Sequence, residues 1–284
     1  MDTLFIMLQQ LIPQQLLSRI TGWLASSEVD WLKSLLIRVF AGHFKVDMSE
    51  AAEPELEAYP SFNAFFTRAL REGARPIDTS DNTICCPADG AISQLGAITA
   101  GQLFQAKGKD FSAAQLLGDA ERAKAFDKGQ FATIYLSPRD YHRVHMPMAG
   151  KLSAQTYIPG KLFSVNRVTA ENIDGLFARN ERLVCYFDTD AGPMAMVLVG
   201  AMIVAGIETV WSGQVAPPTK EPKTTDYKRK PGAVKLAKGE EMGRFMLGST
   251  VILLFPENTI EWQQQYAADT PTRMGEALAT ISSD

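Results

Sequence analysis

From about residue 83 the chain becomes a series of short apolar runs cut by Gly, Pro and Asp turns. The runs are TICCPADGAISQLGAI, FATIYLSPRDYHRVHMPMAGKLSAQTYIPG, RLVCYFDTDAGPMAMVLVGAMIVAGIETVWSGQV and RFMLGSTVILLFP. Short apolar segments bounded by turn residues are strands, and at this density they leave room for few long helices. The expected body is a β-sandwich or a partly closed barrel. Two short helices are expected within it, at 111–118 and near 121–126.

Residues 3–46 have a different period. Leu4, Leu8, Leu11 and Ile12 fall at helical spacing, as do Leu16, Leu17, Ile20, Trp23 and Leu24. Trp31, Leu32, Leu35, Leu36, Val39 and Phe40 continue the pattern, and Pro13 breaks or starts a helix. The fold class is therefore α+β: amphipathic helices over 1–46, then a β-rich body over 47–284. Such helices either pack on the protein's own core or lie in a membrane interface. An acidic stretch at 47–58 reads as a linker, and 61–70 reads as a short helix with Ser61 as its N-cap.

The N-terminus carries only Asp2 as an early charge, and its apolar run stops at Gln9 and Gln10, so no secretory signal is expected. Residues 191–207 form an uncharged run of near-spanning length. Pro193, Gly200 and Gly206 divide it, which predicts two buried strands with a bend near Gly200 rather than a membrane helix. The 217–238 stretch has seven basic residues against Glu221 and Asp226 and reads as an exposed loop, either merely solvated or facing an anionic surface. Overall there are 28 basic and 32 acidic residues, a net charge of −4 that argues against a nucleic-acid partner. Cys85, Cys86 and Cys185 fit neither a disulfide framework nor zinc spacing, so a reducing compartment is expected.

Three short segments could carry chemistry. Gly248-Ser249-Thr250 lies between two apolar runs. Such a tripeptide is commonly a turn or bulge, and it lacks the second glycine of a hydrolase elbow. A serine can also attack the carbonyl of the residue before it, and a preceding glycine leaves that carbonyl open. The attack makes an oxyanion that needs donors, and Thr250 could supply one. The segment 141–147 holds His142 and His145, two of three histidines in the chain. Zinc ligation lacks further ligands nearby, whereas proton transfer near neutral pH suits imidazole. In a strand the two rings would face opposite ways. Asp89, in Pro87-Ala88-Asp89-Gly90, is either a turn residue or the group that orients a histidine.

Together these segments resemble the phosphatidylserine decarboxylases, in the bacterial membrane-bound form. The resemblance runs through Ser61–Leu70, Arg75-Pro76-Ile77, Pro87–Gly90, Ser137–Pro147, Pro159–Asn166, Leu176–Arg182 and Lys238–Phe245, ending in Leu247-Gly248-Ser249-Thr250. Arg167 departs from it, standing where an uncharged residue is expected.

The resemblance implies a carboxy-lyase that makes its own cofactor. The chain would cut itself between Gly248 and Ser249, giving a large chain (1–248) and a small chain (249–284) that begins with a pyruvoyl group made from Ser249. Asp89, His145 and Ser249 would form the processing triad, with His145 as base. His142 would handle protons during decarboxylation. No metal is implied. The substrate would be phosphatidylserine in the membrane and the products phosphatidylethanolamine and CO₂. The expected location is the cytoplasmic face of the inner membrane, held peripherally, as a homodimer of processed protomers. A serine hydrolase using the same three residues and a membrane-surface binding protein are the rival readings, and both predict an uncut chain.

Overall fold

A computed structural model describes residues 9, 13–202, 206–215, 221–228, 232–246 and 249–282. The N-terminal region forms helices Gln14–Ala25 and Asp30–Phe44. Pro13 stands at the N-cap of the first, so it starts the helix, where its missing N–H costs nothing. The second ends at Lys45, which adopts a left-handed conformation (φ 54°). One side of the pair is buried: Ala25, Ile37 and Ala41 pack with Tyr59, Phe62, Phe65 and Phe66. The other side leaves Leu16, Ile20, Trp23, Trp31, Leu35 and Val39 exposed.

Ser61 caps the next helix by accepting from the Ala64 N–H at 3.2 Å. That helix spans only Phe62–Phe66, shorter than the 61–70 expected. It stops because the chain beyond it pairs with the acidic stretch, where Leu70 bridges Ala51 and the Arg71 N–H donates to the Glu50 carbonyl at 2.9 Å. The stretch at 47–58 is thus tied to the body rather than hanging free.

The body is built on one large antiparallel sheet. Its strands run in the order Lys223–Asp226, Gly150–Ile158, Arg182–Thr189, Gly192–Gly200, Ser249–Phe255, Gln130–Leu136, Gly90–Ala97 and Pro271–Thr272. Lys235–Leu236 also pairs with Gly150–Ile158. The basic 217–238 stretch is therefore partly edge strand, not only loop; Lys220, Arg229 and Lys230 lie outside the described residues. Lysines on an exposed edge discourage further strand pairing.

Both faces of the central strands are covered. Val251, Leu253 and Phe255 share a core with Met194, Met196 and Leu198 and with strands of two smaller sheets. One of these contains Ile207–Thr209, Glu241–Phe245 and Arg143–His145, the other Thr83–Cys85, Ala277–Ile281 and Ile260–Trp262. Ile252 and Leu254 face a second core with Val197, Val199, Phe111 and Leu116, closed by short helices that include Ala113–Leu117 and Ala120–Ala123. Burial on both faces explains why these strands read as continuous apolar runs. The sandwich-like α+β body follows the expectation.

The uncharged run divides as expected. Gly192–Gly200 belongs to the large sheet and Ile207–Thr209 to the smaller one. Among the described residues no helix is long and apolar enough to cross a membrane.

Candidate active site

Antiparallel order brings distant segments to one end of the large sheet. Ser249 opens its strand there, paired with Leu136 on one side and Gly200 on the other. The loop after Leu136 carries residues 137–142 to the same end. Ala91 pairs with Tyr135, so Asp89 sits beside that loop. A side chain at Gly90 is impossible, because its Cβ would lie 2.2 Å from the Tyr135 carbonyl oxygen. The Asp-Gly pair thus serves close strand approach as well as turning. The His145 N–H donates to the Pro87 carbonyl at 2.8 Å, which fastens the histidine strand to the Pro87–Gly90 block.

His145 is held at both ring nitrogens. Nδ1 lies 2.8 Å from the Gly239 carbonyl oxygen, which can only accept, so the neutral ring carries its proton on Nδ1. Nε2 then accepts from Tyr141 Oη at 3.0 Å. Burial pushes the Tyr141 phenol up to about 12, so it stays a donor at neutral pH. Burial also lowers the His145 pKa, opposed first by the Gly239 hydrogen bond and then by the charges of Glu241 and, least, Asp89.

Asp89 is committed elsewhere. Arg75 grips its carboxylate through Nε and Nη2 at 2.9 and 2.5 Å, and the Met274 N–H donates to it at 2.9 Å. Arg75 also donates to Glu50 at 2.6 Å and holds that carboxyl below its usual range. No hydrogen bond joins Asp89 to His145. The acceptor that fixes the imidazole is the Gly239 carbonyl.

His142 is fully buried. Its ring stacks on Phe66, and neither nitrogen makes a hydrogen bond among the described residues. Burial pushes its pKa down to about 3, and the charge on Arg68 adds to the shift. The Pro138 and Ser137 carbonyls pull the other way without reaching hydrogen-bond geometry. A cleft of about 260 Å³ opens nearby, lined in part by Arg68, Arg75, Asp89, Asp140 and Tyr141.

Gly248 and the Ser249 side chain lie outside the described residues. Thr250 is buried, and its Oγ1 has no hydrogen-bond partner among the described residues. An orphaned buried polar atom costs about 1–3 kcal/mol. Among the described residues no group of three or more His, Cys, Asp or Glu is placed to hold a metal ion. Arg167 pairs with Glu171 and Asp269 on the surface.

Sequence reasoning assigned no role to Arg75, Tyr141 or Gly239. Arg75 and Tyr141 fall within the segments that carry the family resemblance. The Gly239 carbonyl, as a backbone atom, leaves no residue-type signal.

An antiparallel α+β body that gathers a serine, two histidines and an aspartate near one end of its large sheet is the class of protein the fold and site define. A family model described as phosphatidylserine decarboxylase matches residues 62–280, and a second, described as PSD, matches residues 4–45. Curated relatives named phosphatidylserine decarboxylase proenzyme match along nearly the whole chain. That of Ectopseudomonas mendocina is 60% identical over 97% of each chain. That of Pseudomonas paraeruginosa is 59% identical over 98% of this chain and 97% of its own. That of Marinobacter nauticus is 56% identical over 99% of each. The chain belongs to the phosphatidylserine decarboxylase family.

Proposed function

We propose that this chain is a proenzyme that cuts itself between Gly248 and Ser249 and then converts phosphatidylserine to phosphatidylethanolamine and CO₂. One observation supports the reading above others. In a chain 56–60% identical to named proenzymes, Ser249 pairs with Leu136, just ahead of the loop to His142, and Ala91 pairs with Tyr135 beside Asp89, while the His145 N–H is bonded to Pro87.

His145 is the base for processing. Its Nε2 lone pair, lent to Tyr141 at rest, takes the proton from Ser249 Oγ as Oγ bonds to the Gly248 carbonyl carbon. The peptide C–N bond breaks and the Ser249 nitrogen takes a proton, leaving an ester. Loss of the Ser249 Cα proton and cleavage of the ester C–O bond release the Gly248 carboxylate and leave dehydroalanine. Water then replaces its nitrogen, releasing ammonia and leaving a pyruvoyl group at residue 249. Asp89 acts by charge, favouring the imidazolium that forms on His145.

The pyruvoyl group supplies the electron sink for decarboxylation that ordinary side chains lack. His142 is the group assigned to hold or return a proton there. It is neutral when the site is empty, and an incoming carboxylate raises its pKa, since a nearby anion favours the imidazolium.

The exposed apolar face of the N-terminal helices supports docking on a membrane. The helices have 12 and 15 residues, about 18 and 22 Å long, short of a hydrocarbon core of about 30 Å. They suit lying on the cytoplasmic surface of the inner membrane, where the three free cysteines stay reduced. A homodimer of processed protomers completes the reading.

Intact mass after purification tests the core of it. Dividing 31.2 kDa in proportion to 248 and 36 of 284 residues gives fragments of about 27 and 4 kDa. The smaller should begin with a pyruvoyl group, and Ser249→Ala should remain one chain. An uncut wild-type protein with esterase activity would favour the hydrolase instead.

A further inference from the structure

Gly200 separates two chemically loaded positions with bare backbone. On one side it pairs with Ser249. On the other its N–H donates to the Glu181 carbonyl at 2.8 Å. A Cβ built on Gly200 would stand 3.9 Å from Glu181 Oε1 and 3.7 Å from Leu162 Cδ2. Alternation puts Gly200 and position 249 on the face that carries Leu198 and Val251, which packs against the sheet holding His145. Tyr157, the partner of the Glu181 side chain, belongs to the same core.

Glu181 is 7% exposed. Its carboxyl takes one hydrogen bond among the described residues, from Tyr157 Oη to Oε2 at 2.8 Å. Among the described residues no Lys, Arg or His side chain pairs with it. The neighbouring Arg182 turns to the opposite face and spends its guanidinium on the Gln115, Leu116 and Asn180 carbonyls. Burial pushes the Glu181 carboxyl up, with the Tyr157 hydrogen bond opposing. In its acid form a carboxyl can donate a hydrogen bond, which a carboxylate cannot.

Resting on the reading that residue 249 comes to bear a carbonyl group, we propose that Glu181, anchored by Tyr157, donates a hydrogen bond across Gly200 to that group. The bond would polarise the carbonyl toward attack by a primary amine. Its worth lies in activation of the carbonyl, not in chain cleavage or in lipid affinity.

The test uses the full-length protein as wild type, Glu181→Ala, Glu181→Gln and Gly200→Ala. Four quantities are read: extent of cleavage by intact mass, unfolding midpoint, rate of oxime formation on the small chain with hydroxylamine, and kcat and KM on phosphatidylserine in mixed micelles. All variants should cleave. Glu181→Ala and Gly200→Ala should form the oxime about tenfold more slowly, the worth of one hydrogen bond, with kcat reduced in parallel. KM should hold within about twofold. Glu181→Gln, which keeps an N–H donor, should fall between. Oxime formation at the wild-type rate in Glu181→Ala would overturn the proposal. So would a folded Glu181→Ala that fails to cleave, because it would place Glu181 in processing. If Glu181→Ala does not fold, Gly200→Ala decides alone, since its added methyl meets nothing nearer than 3.4 Å. An uncut wild-type chain is a separate outcome that refutes the underlying reading.

Discussion

The imidazole of His142 lies flat on the ring of Phe66, with centroids 4.0 Å apart and planes 23° apart. Phe66 in turn meets Phe40 at 5.7 Å and Phe62 at 6.0 Å. Since Phe40 belongs to the helix Asp30–Phe44, an aromatic chain links the amphipathic N-terminal region to the histidine assigned to decarboxylation. Phe66→Leu should remove the stack and admit water to the imidazole. Relief of desolvation raises the His142 pKa from about 3 toward the ordinary value of 6.5, which a histidine NMR titration would read. The fold should weaken by about 1–2 kcal/mol. An unmoved titration would show that Phe66 does not keep the ring dry.

The same burial sets a pH dependence. The folded-state pKa of His142 is lowered, so between about 6.5 and 3 the unfolded chain binds a proton that the folded chain refuses. Stability from this residue is complete above pH 6.5 and falls as the pH drops through that window, with a slope of up to ~1.4 kcal/mol per pH unit. Denaturant unfolding of wild type and His142→Phe at pH 7, 6, 5 and 4 isolates the effect. The variant should show the shallower decline with acid, and parallel curves would contradict the assignment.

Arg75 ties three parts of the chain together. Its side chain is buried between the carboxylates of Asp89 and Glu50, and Glu50 also pairs with Arg273. Arg75→Leu should strand the Asp89 carboxylate and destabilise the fold by about 3–5 kcal/mol, as for other buried pairs broken on one side. Adding Asp89→Asn should recover part of that loss. A double variant no more stable than the single one would mean that the cost comes from lost packing.

Trp23 and Trp31 are 73% and 69% exposed on the N-terminal helices. Changing both to Ser should leave the unfolding midpoint nearly unaltered, as surface substitutions do. Sedimentation with anionic phospholipid vesicles should drop at least about tenfold, because a large apolar side chain contributes roughly 2 kcal/mol when buried. Truncation of residues 1–40 is a blunter test, for it also removes Ile37 and Phe40 from the aromatic core. Undiminished vesicle binding by the double variant would place the membrane contact elsewhere.

The strand-dense body, the amphipathic start and the helix caps at Pro13 and Ser61 were legible because they depend on local chemistry. Turn residues, side-chain period and capping oxygens act over a few neighbours, and the apolar runs announced strands covered on both faces. The blocks holding Asp89, His142, His145 and Ser249 were equally visible as motifs. Their partners were not. Arg75 meets Asp89 across 14 residues, and the Gly239 carbonyl meets His145 across 94. Nothing in residue type reveals that a carboxylate is already held by an arginine, or that a backbone oxygen orients an imidazole. Glu181 lay in a recognised segment without a role until the sheet register set it across Gly200 from Ser249. The sequence by itself determined the strand-dense body, the helical start and the segments from which a site can be proposed. The tertiary structure decided which of their groups touch, because contact follows from strand order and register, and these are set by closing the whole core at once.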